Sequence, residues 1–378
     1  MNVHVIATGQ TPFGRRSDDL VSLAAEAGRQ ALEGIGRRPV DLLVVGNMLG
    51  GALDGEENLT AAIADRLALE RAAGWRVDAA SASGAAAFHS AVAAVASGAF
   101  HRALVIAAEK MTGVPNDRLS RALARSLSPL ERASGATMAG LASLVTQRYL
   151  ARYPSAASAI DWVTVHARRR AARNPTAQFR EAVTVEAVRE SRWVAPPLRL
   201  LHCSAVSDGA AAVVIERGSG AATVRGTGQA LDAWQWTDRA DLATFEATRE
   251  ASRRALGMAH GRPRDLGVVE LHDAFAPFAL IDLEDLGLSA PGGGSEWFSE
   301  ASLGARGAVV LNPSGGLLGR GHPVGASGLA AIGEIARQLL GEAGPTSVDP
   351  RPSLGLAHSI GGLGAHNFVT VLGDGGRR

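Results

Sequence analysis

The sequence of 378 residues contains one cysteine, one lysine and few aromatic side chains. Its lone cysteine, Cys203, cannot form an internal disulfide, which is typical of a protein from the reducing cytoplasm. Lys110 is the lone lysine, so a Schiff-base mechanism has a single candidate, and its position at the end of a predicted strand indicates a structural role. We therefore expect a cytoplasmic protein without structural disulfides.

Strong net charge and long apolar runs are also missing. The formal net charge of +1 gives no reason to expect a nucleic acid or an anionic membrane as partner. No stretch approaches the ~20 uninterrupted apolar residues of a membrane-spanning helix. The first residues do not have the basic and then apolar segments of a signal peptide, so we expect none. With 45 glycines and a hydrophobic fraction of 46%, the composition favours α/β layers with tight turns.

The sequence does contain an internal repeat. Residues 26–48 align without gaps to residues 250–272, and 11 of the 23 positions are identical. Each copy has the pattern of a helix, a turn containing Arg-Pro, and a buried strand. A second pair of segments, 83–98 and 327–341, is typical of small-residue helices that open on Ser-Gly, and an apolar strand follows each. The order predicts two related halves with mostly parallel sheets.

The two halves are separated by a stretch of different composition. Residues from about 114 to 197 are rich in arginine and polar helix formers, which predicts an inserted helical cap. The first half resumes with the buried strand AAAVVIE, and the second opens at AATVRGTGQA. We place the boundary near residues 218–220, which gives halves of 1–218 and 219–378.

Two segments place polar side chains where an α/β fold has its functional loops. In VDAASASGAAAF, Ser81 and Ser83 lie between a strand and a helix, next to free backbone N–H groups that stabilise negative charge. Either serine can equally serve as the helix N-cap. In the second segment, His272 and Asp273 follow the repeated strand, where a histidine is either functional or a hydrogen-bonded structural residue.

A third segment, residues 311–328, is rich in glycine and contains Gly-His-Pro at 321–323. The proline restricts the backbone of His322, and the glycines allow main chain to approach a ligand closely. This segment has neither GK[ST] nor a correctly placed GxGxxG, so it does not predict a P-loop or a dinucleotide site.

Together with AAEKM, NPTAQF, SDGAAAVVIE, DLEDLGL and SIGGLGAHNFVTVL, these three segments resemble the thiolase superfamily over essentially the full length. Because HDAF stands where degradative thiolases have NEAF, the sequence is most similar to sterol-carrier-protein-type thiolases. The resemblance implies a five-layered αβαβα fold, a loop domain at about 114–197, and a homodimer in which residues 76–79 pair across a two-fold axis. It also implies an acyl thioester substrate carried by coenzyme A or phosphopantetheine, and no metal or further cofactor.

The resemblance also implies roles for individual residues. His322 corresponds to the histidine that deprotonates the nucleophile, and His272 to the residue that polarises a thioester carbonyl. Gly361 corresponds to a backbone donor that forms an oxyanion hole with the N–H of the nucleophile. The nucleophilic cysteine of the family is replaced by Ser81.

The second family cysteine is missing as well. Its position falls on Ser359 in one branch of the family and on Ala274 in the other, while Cys203 resembles a structural position. Phe275 and Ser359 are expected to contact the substrate. The chain is therefore not an ordinary thiolase.

These assignments leave three functions open. The first is an acyltransferase or condensing enzyme that forms an acyl ester on Ser81 with His322 as base. The second is a retro-aldol carbon–carbon lyase acting on a β-hydroxyacyl-CoA. Family lyases use tyrosines in the motifs, whereas this chain has only Tyr149 and Tyr153, both in the cap. The third is a non-catalytic subunit, and relatives also work with a small zinc-ribbon and OB-fold partner protein.

Overall fold

The computed structural model describes residues 2–36, 38–69, 71–303 and 309–375. The strands of this part of the chain are β1 Val3–Gln10, β2 Leu42–Gly46, β3 Ala73–Val77, β4 Arg102–Glu109, β5 Trp193–Ala195, β6 Leu198–Arg199, β7 Gly209–Arg217, β8 Thr223–Leu231, β9 Val268–Glu270, β10 Val310–Leu311, β11 Leu354–Gly361 and β12 His366–Gly373. Its α-helices are α1 Leu20–Glu33, α2 Leu59–Arg66, α3 Ser83–Ala96, α4 Asn116–Ala124, α5 Pro129–Ala133, α6 Met138–Arg152, α7 Ala157–Ala171, α8 Val185–Glu190, α9 Glu246–Ala259, α10 Ala276–Asp285, α11 Gly316–Arg320 and α12 Val324–Leu340.

The main sheet repeats one strand order in its two halves. In the first half the order is β3-β2-β4-β7-β1, and in the second it is β10-β9-β11-β12-β8. A short antiparallel contact between β1 and β8 joins them. In each half the first two pairings are parallel and the last two are antiparallel. The prediction of mostly parallel sheets was therefore wrong, because β7 and β12 each lie antiparallel to both of their neighbours in the sheet.

Helices form three layers around the two halves of the main sheet. α3 and α12 pack against each other and against strands of both halves, so they form the central layer. Nearly every side chain of α12 is buried, as expected for a helix with protein on all sides. α1 covers the outer face of the first sheet, and α9 covers that of the second. The predicted five-layer αβαβα order is confirmed.

Glycine contacts between strand and helix show the duplication in atomic detail. The tripeptide Thr-Gly-Gln occurs at 8–10 in β1 and again at 227–229 in β8. A β-carbon on Gly9 would lie 2.1 Å from the carbonyl oxygen of Ala27, and one on Gly228 would lie 1.9 Å from that of Ala251. Ala27 and Ala251 are partners in the sequence repeat, so both halves dock their outer helix through the same contact.

The cap lies on the second half. Helices α4 to α8 cover most of residues 114–197, and the short β5–β6 hairpin ends it. Its buried side chains share one core with those of α9 and α10. Tyr149 of α6 is fully buried and donates a hydrogen bond to Glu284 Oε1 at 2.5 Å. The cap is thereby anchored beside the end of α10.

Some predicted bounds differ from the structure. The strand predicted at 76–79 lies at Ala73–Val77, because residues 78–82 form the turn before α3. α12 begins at Val324, directly after Pro323, rather than at Ser327. The predicted boundary near residue 218 falls in the connection between β7 and β8. Among the described residues, no helix is both long and apolar enough to cross a membrane.

We expect Gly228→Ala to lower the free energy of unfolding by about 3 kcal/mol or more, because the new methyl group would overlap the backbone of α9. The matched control is Gly257→Ala on α9 itself, where nothing lies within 4 Å of the added carbon. That change should be neutral or stabilise the protein by up to about 1 kcal/mol. Urea denaturation measures both. Equal midpoints for wild type and Gly228→Ala would contradict the close contact.

Candidate active site

Ser81 lies in a tight turn immediately before α3. The preceding residue, Ala80, has φ 53°, a left-handed conformation that is unfavourable for a residue with a side chain. Ser83 stabilises the turn, because its hydroxyl accepts from Ala79 N at 2.9 Å and donates to Ala80 O at 2.6 Å. The Ser81 hydroxyl donates to Ile360 O at 2.9 Å. Ser83 therefore holds the turn, and Ser81 presents its hydroxyl at the positive end of the central helix.

His322 lies just before α12, the other central helix, and two serines hold it in place. Its backbone N–H donates to Ser207 Oγ at 2.9 Å, and its Nδ1 lies 2.7 Å from Ser327 Oγ. These contacts fix the ring and leave Nε2 as the nitrogen available to a ligand. Burial, followed by the nearby charge of Arg320, lowers the pKa of His322 to about 3.

His272 follows β9 and is also buried. Its backbone N–H donates to Asp282 Oδ2 at 3.2 Å, and its Nδ1 has no hydrogen-bond partner among the described residues. Burial lowers the pKa of His272 well below its usual range, and the neighbouring His322, His358 and Arg320 add to that effect. Both imidazoles are thus neutral at physiological pH.

The two imidazoles face each other. The ring centroids of His272 and His322 are 5.3 Å apart, and the ring planes are nearly perpendicular at 84°. Both rings and Ser81 line one cavity of about 290 Å³. The structure therefore brings together the three side chains that the sequence placed on separate segments, and Phe275 lies on the same wall.

Gly361 lies against the Ser81 turn. A β-carbon on Gly361 would lie 2.1 Å from Ala79 O and 3.2 Å from Ala82 Cβ, so only glycine fits there. The predicted oxyanion pair, Gly361 and Ser81, thus belongs to two backbone segments in contact.

Ser359 is placed differently from the prediction. It is 2% exposed, it is not among the described residues that line the cavity, and its Oγ has no partner among the described residues. A β-carbon on Gly328 would lie 2.6 Å from that oxygen, so Ser359 faces α12. The predicted substrate contact of Ser359 is therefore corrected, because side chains alternate along β11 and Ile360 takes the cavity side.

Other residues of the cavity were missed from the sequence. Three of the five methionines, Met48, Met111 and Met138, line it, as does Cys203, which was expected to be merely structural. Burial raises the pKa of the Cys203 thiol to about 11, so the thiol is protonated at neutral pH. The repeat contained a signal for one of them, because Met48 is the partner of His272 in the aligned segments.

Asp273 points away from this cavity. It lines a second cavity of about 410 Å³ beside α7, together with Arg170 and Trp297. Its Oδ1 accepts from Leu317 N at 2.6 Å, and burial raises its pKa to about 7. Residues 272–274 thus separate two cavities. Across the described residues, no three His, Cys, Asp or Glu side chains are grouped so that they could hold a metal ion.

Comparison with known proteins identifies the family. The family description "Thiolase, N-terminal domain" matches residues 3–219, and "Thiolase C-terminal domain-like" matches residues 228–374. The chain is 38% identical to an acetyl-CoA acetyltransferase of Methanothermobacter thermautotrophicus, over 98% of this chain and 99% of that protein. It is 28% identical to human sterol carrier protein 2, over 98% of this chain and 71% of that protein.

Solved structures agree with the fold. The structure titled Ltp2-ChsH2(DUF35) aldolase superposes with a TM-score of 0.84 at 23% identity, over 100% of this chain and 99% of that chain. At that identity the likeness concerns the fold. Two matched halves and a nearly full-length relative show that the chain belongs to the thiolase superfamily, with sterol-carrier-protein-type thiolases among its relatives.

Proposed function

We propose that this protein is a thiolase-like acyltransferase or condensing enzyme that takes an acyl group from an acyl-CoA onto Ser81. The observation that carries the proposal is the cavity shared by Ser81, His272 and His322 at the start of the central helix α3. Relatives named acetyl-CoA acetyltransferase support an acyl-CoA substrate. The carrier arm is the pantetheine of coenzyme A, and the chain needs no further cofactor for this step.

In the first step, Ser81 Oγ attacks the thioester carbonyl and its proton passes to Nε2 of His322. The imidazolium of His322 then returns the proton to the departing thiolate. The products are an acyl ester on Ser81 and free coenzyme A thiol, which balances atoms and charge. His272 and the backbone N–H groups of Ser81 and Gly361 stabilise the oxyanion. Before attack, the Ser81 hydroxyl leaves its hydrogen bond to Ile360 O.

The inner wall of the cavity suits an uncharged acyl group. Its lining is largely apolar, and methionine side chains adapt to different shapes. Arg192 is the one formally charged side chain among the described lining residues, and it is exposed.

A carbon–carbon lyase is the second candidate. In the structure the Ser81 hydroxyl is bonded to a backbone carbonyl rather than to a histidine, and the two neutral imidazoles could move protons on a β-hydroxyacyl thioester. Tyr149 and Tyr153 do not line the cavity, and Tyr149 is bonded to Glu284, so tyrosines do not supply this chemistry. The aldolase title of the structural neighbour is consistent with this candidate.

We expect Ser81→Ala to abolish acyl labelling and to reduce acyl transfer by at least about 10³-fold, because it removes the nucleophilic oxygen. Ser81→Cys should trap acyl groups more readily, since a thiolate forms more easily than an alkoxide. Intact-protein mass spectrometry after mixing with acetyl-CoA and longer acyl-CoA esters measures the adduct. Ser97→Ala, at the opposite, exposed end of α3, is the matched control.

Retention of transfer activity in Ser81→Ala would refute the covalent mechanism. Cleavage of a β-hydroxyacyl-CoA by that variant would then establish the lyase. If wild type neither forms an adduct nor cleaves, the chain is a non-catalytic subunit.

We expect His322→Asn to leave folding intact and to reduce turnover by about 10²- to 10⁴-fold, the usual effect of losing acid–base help. His272→Ala should cost about 10²-fold through weaker stabilisation of the oxyanion. Steady-state kinetics with the acyl-CoA that labels Ser81 gives both numbers. His260→Asn is the control, because His260 is exposed at the end of α9 with φ 52°, a conformation that asparagine tolerates. A near-normal rate in His322→Asn would remove His322 from the mechanism.

We also propose a homodimer whose contact includes residues 76–79. Within the described part of the chain, β3 is an edge strand that pairs with β2 alone, and such an edge offers unpaired backbone groups to a second chain. Size-exclusion chromatography with light scattering should give the mass of two chains at micromolar concentration. A monomer under those conditions would contradict the proposal.

A small zinc-ribbon and OB-fold protein is the proposed partner in a larger assembly. Support comes from the structural neighbour, whose title names a DUF35 component. Val194, Leu200 and Val206 are exposed and also line the active-site cavity, so a bound partner would cover apolar surface at its mouth.

A further inference from the structure

Arg320 is fully buried between the two histidine-bearing segments. It ends α11 two residues before His322, and its exposed fraction is 0%. Its ion-pair partner Glu270 ends β9 two residues before His272 and is likewise fully buried, with Nη1 of the arginine 3.5 Å from Oε2 of the glutamate. Burying two charges is costly, so this pair is retained at a cost to stability.

The pair connects three backbone segments. Ser314, in the glycine turn after β10, donates to Glu270 through its N–H at 3.0 Å and its hydroxyl at 2.7 Å. Arg320 Nη1 donates to that hydroxyl at 3.0 Å, and Nη2 donates to Ser327 O at 3.3 Å. The hydroxyl of Ser327 is the partner of His322 Nδ1. One guanidinium therefore ties the end of β9 to the first turn of α12.

We propose that Arg320 is a positioning residue, which holds the segments of His272 and His322 in their facing arrangement and keeps a fixed positive charge beside both rings. It is not among the described lining residues of the cavity, so it acts through the histidines. Its effect on turnover rests on the proposed function, whereas its effect on the histidines does not.

The positive charge of Arg320 changes the pKa of the two histidines in a known direction. A cation beside an imidazole disfavours protonation, so Arg320 lowers the pKa of both histidines in addition to the effect of burial. Its removal must raise both pKa values, and neutral imidazole is then lost at a higher pH as the solution is acidified. The other charged or titratable groups that face Arg320 or the two rings are Glu270, Asp273, Asp282, Glu334, Arg337 and His358.

The test compares Arg320→Met and Arg320→Lys with Arg337→Met. Arg337 also pairs with a buried glutamate, Glu334, at 2.6 Å, but its charge is not among those that lower the pKa of His272 or His322, so its loss is the control for removing a paired arginine. Each protein is labelled with ¹⁵N-histidine, and the ring nitrogen shifts are followed from pH 8 to about pH 3, so that the range includes the low pKa of His322. Single His272→Asn and His322→Asn variants assign the signals.

In wild type and Arg337→Met, both rings should stay neutral to about pH 4. Arg320→Met should raise the proton affinity of both rings, and by about tenfold or more in at least one of them. Arg320→Lys keeps the positive charge but loses the planar guanidinium that bonds to Ser314 and Ser327. In this variant His272 and His322 should stay neutral, while labelling of Ser81 by acetyl-CoA slows about tenfold. If Arg320→Met does not fold because Glu270 is left unpaired, the double variant Arg320→Met with Glu270→Gln takes its place.

Unchanged histidine titration in a folded Arg320→Met, or in the double variant, would overturn the proposal, as would an equal change in Arg337→Met. A changed titration in a protein whose Ser81 is never labelled supports the positioning role and refutes the acyl-enzyme. The experiment can therefore refute the positioning role of Arg320 and the acyl-enzyme on Ser81 independently of each other.

Discussion

The candidate active site depends on the contact between the starts of the two central helices. A β-carbon on Gly84 of α3 would lie 2.6 Å from the carbonyl oxygen of Gly325 on α12. Ser81 precedes Gly84 by three residues, and His322 precedes Gly325 by three residues. Because no side chain separates the helices there, the turn of one half and the histidine of the other open into the same cavity. A methyl group at Gly84 would push the two halves apart, and Ser81 and His322 with them.

Around this contact, the low polarity of the interior determines the protonation state of His272 and His322. Both imidazoles are neutral because burial penalises their charged forms, and a fixed guanidinium nearby adds to that effect. In the mechanism that we propose, the neutral state matters because the Ser81 hydroxyl has to give its proton to a base during attack. The two halves have also diverged at this cavity. Met48 and His272 are partners in the sequence repeat and both line the cavity, but one contributes an apolar side chain and the other an imidazole.

Much of the architecture could be predicted from the sequence. The repeat of residues 26–48 at 250–272 predicts two related halves, and the paired strands and helices occur in both halves of the sheet. Ser81, His272 and His322 were found because each lies on a short glycine-rich or strand-end motif, and such motifs are local in the chain. The antiparallel pairs were missed, since they join strands by position in the sheet rather than by hydrophobic pattern.

The tertiary structure alone decided how these residues are used. The sequence determined the duplication, the fold class and the identity of the polar groups, because these follow from patterns between near neighbours or repeated copies. It did not determine that Ser81 bonds to Ile360, that Ser359 faces α12, or that Cys203 lines the cavity. Nor did it reveal the buried pair of Arg320 and Glu270. Each of these contacts joins residues far apart in the chain, and only the packing of the two halves determines which side of a strand or helix meets which partner.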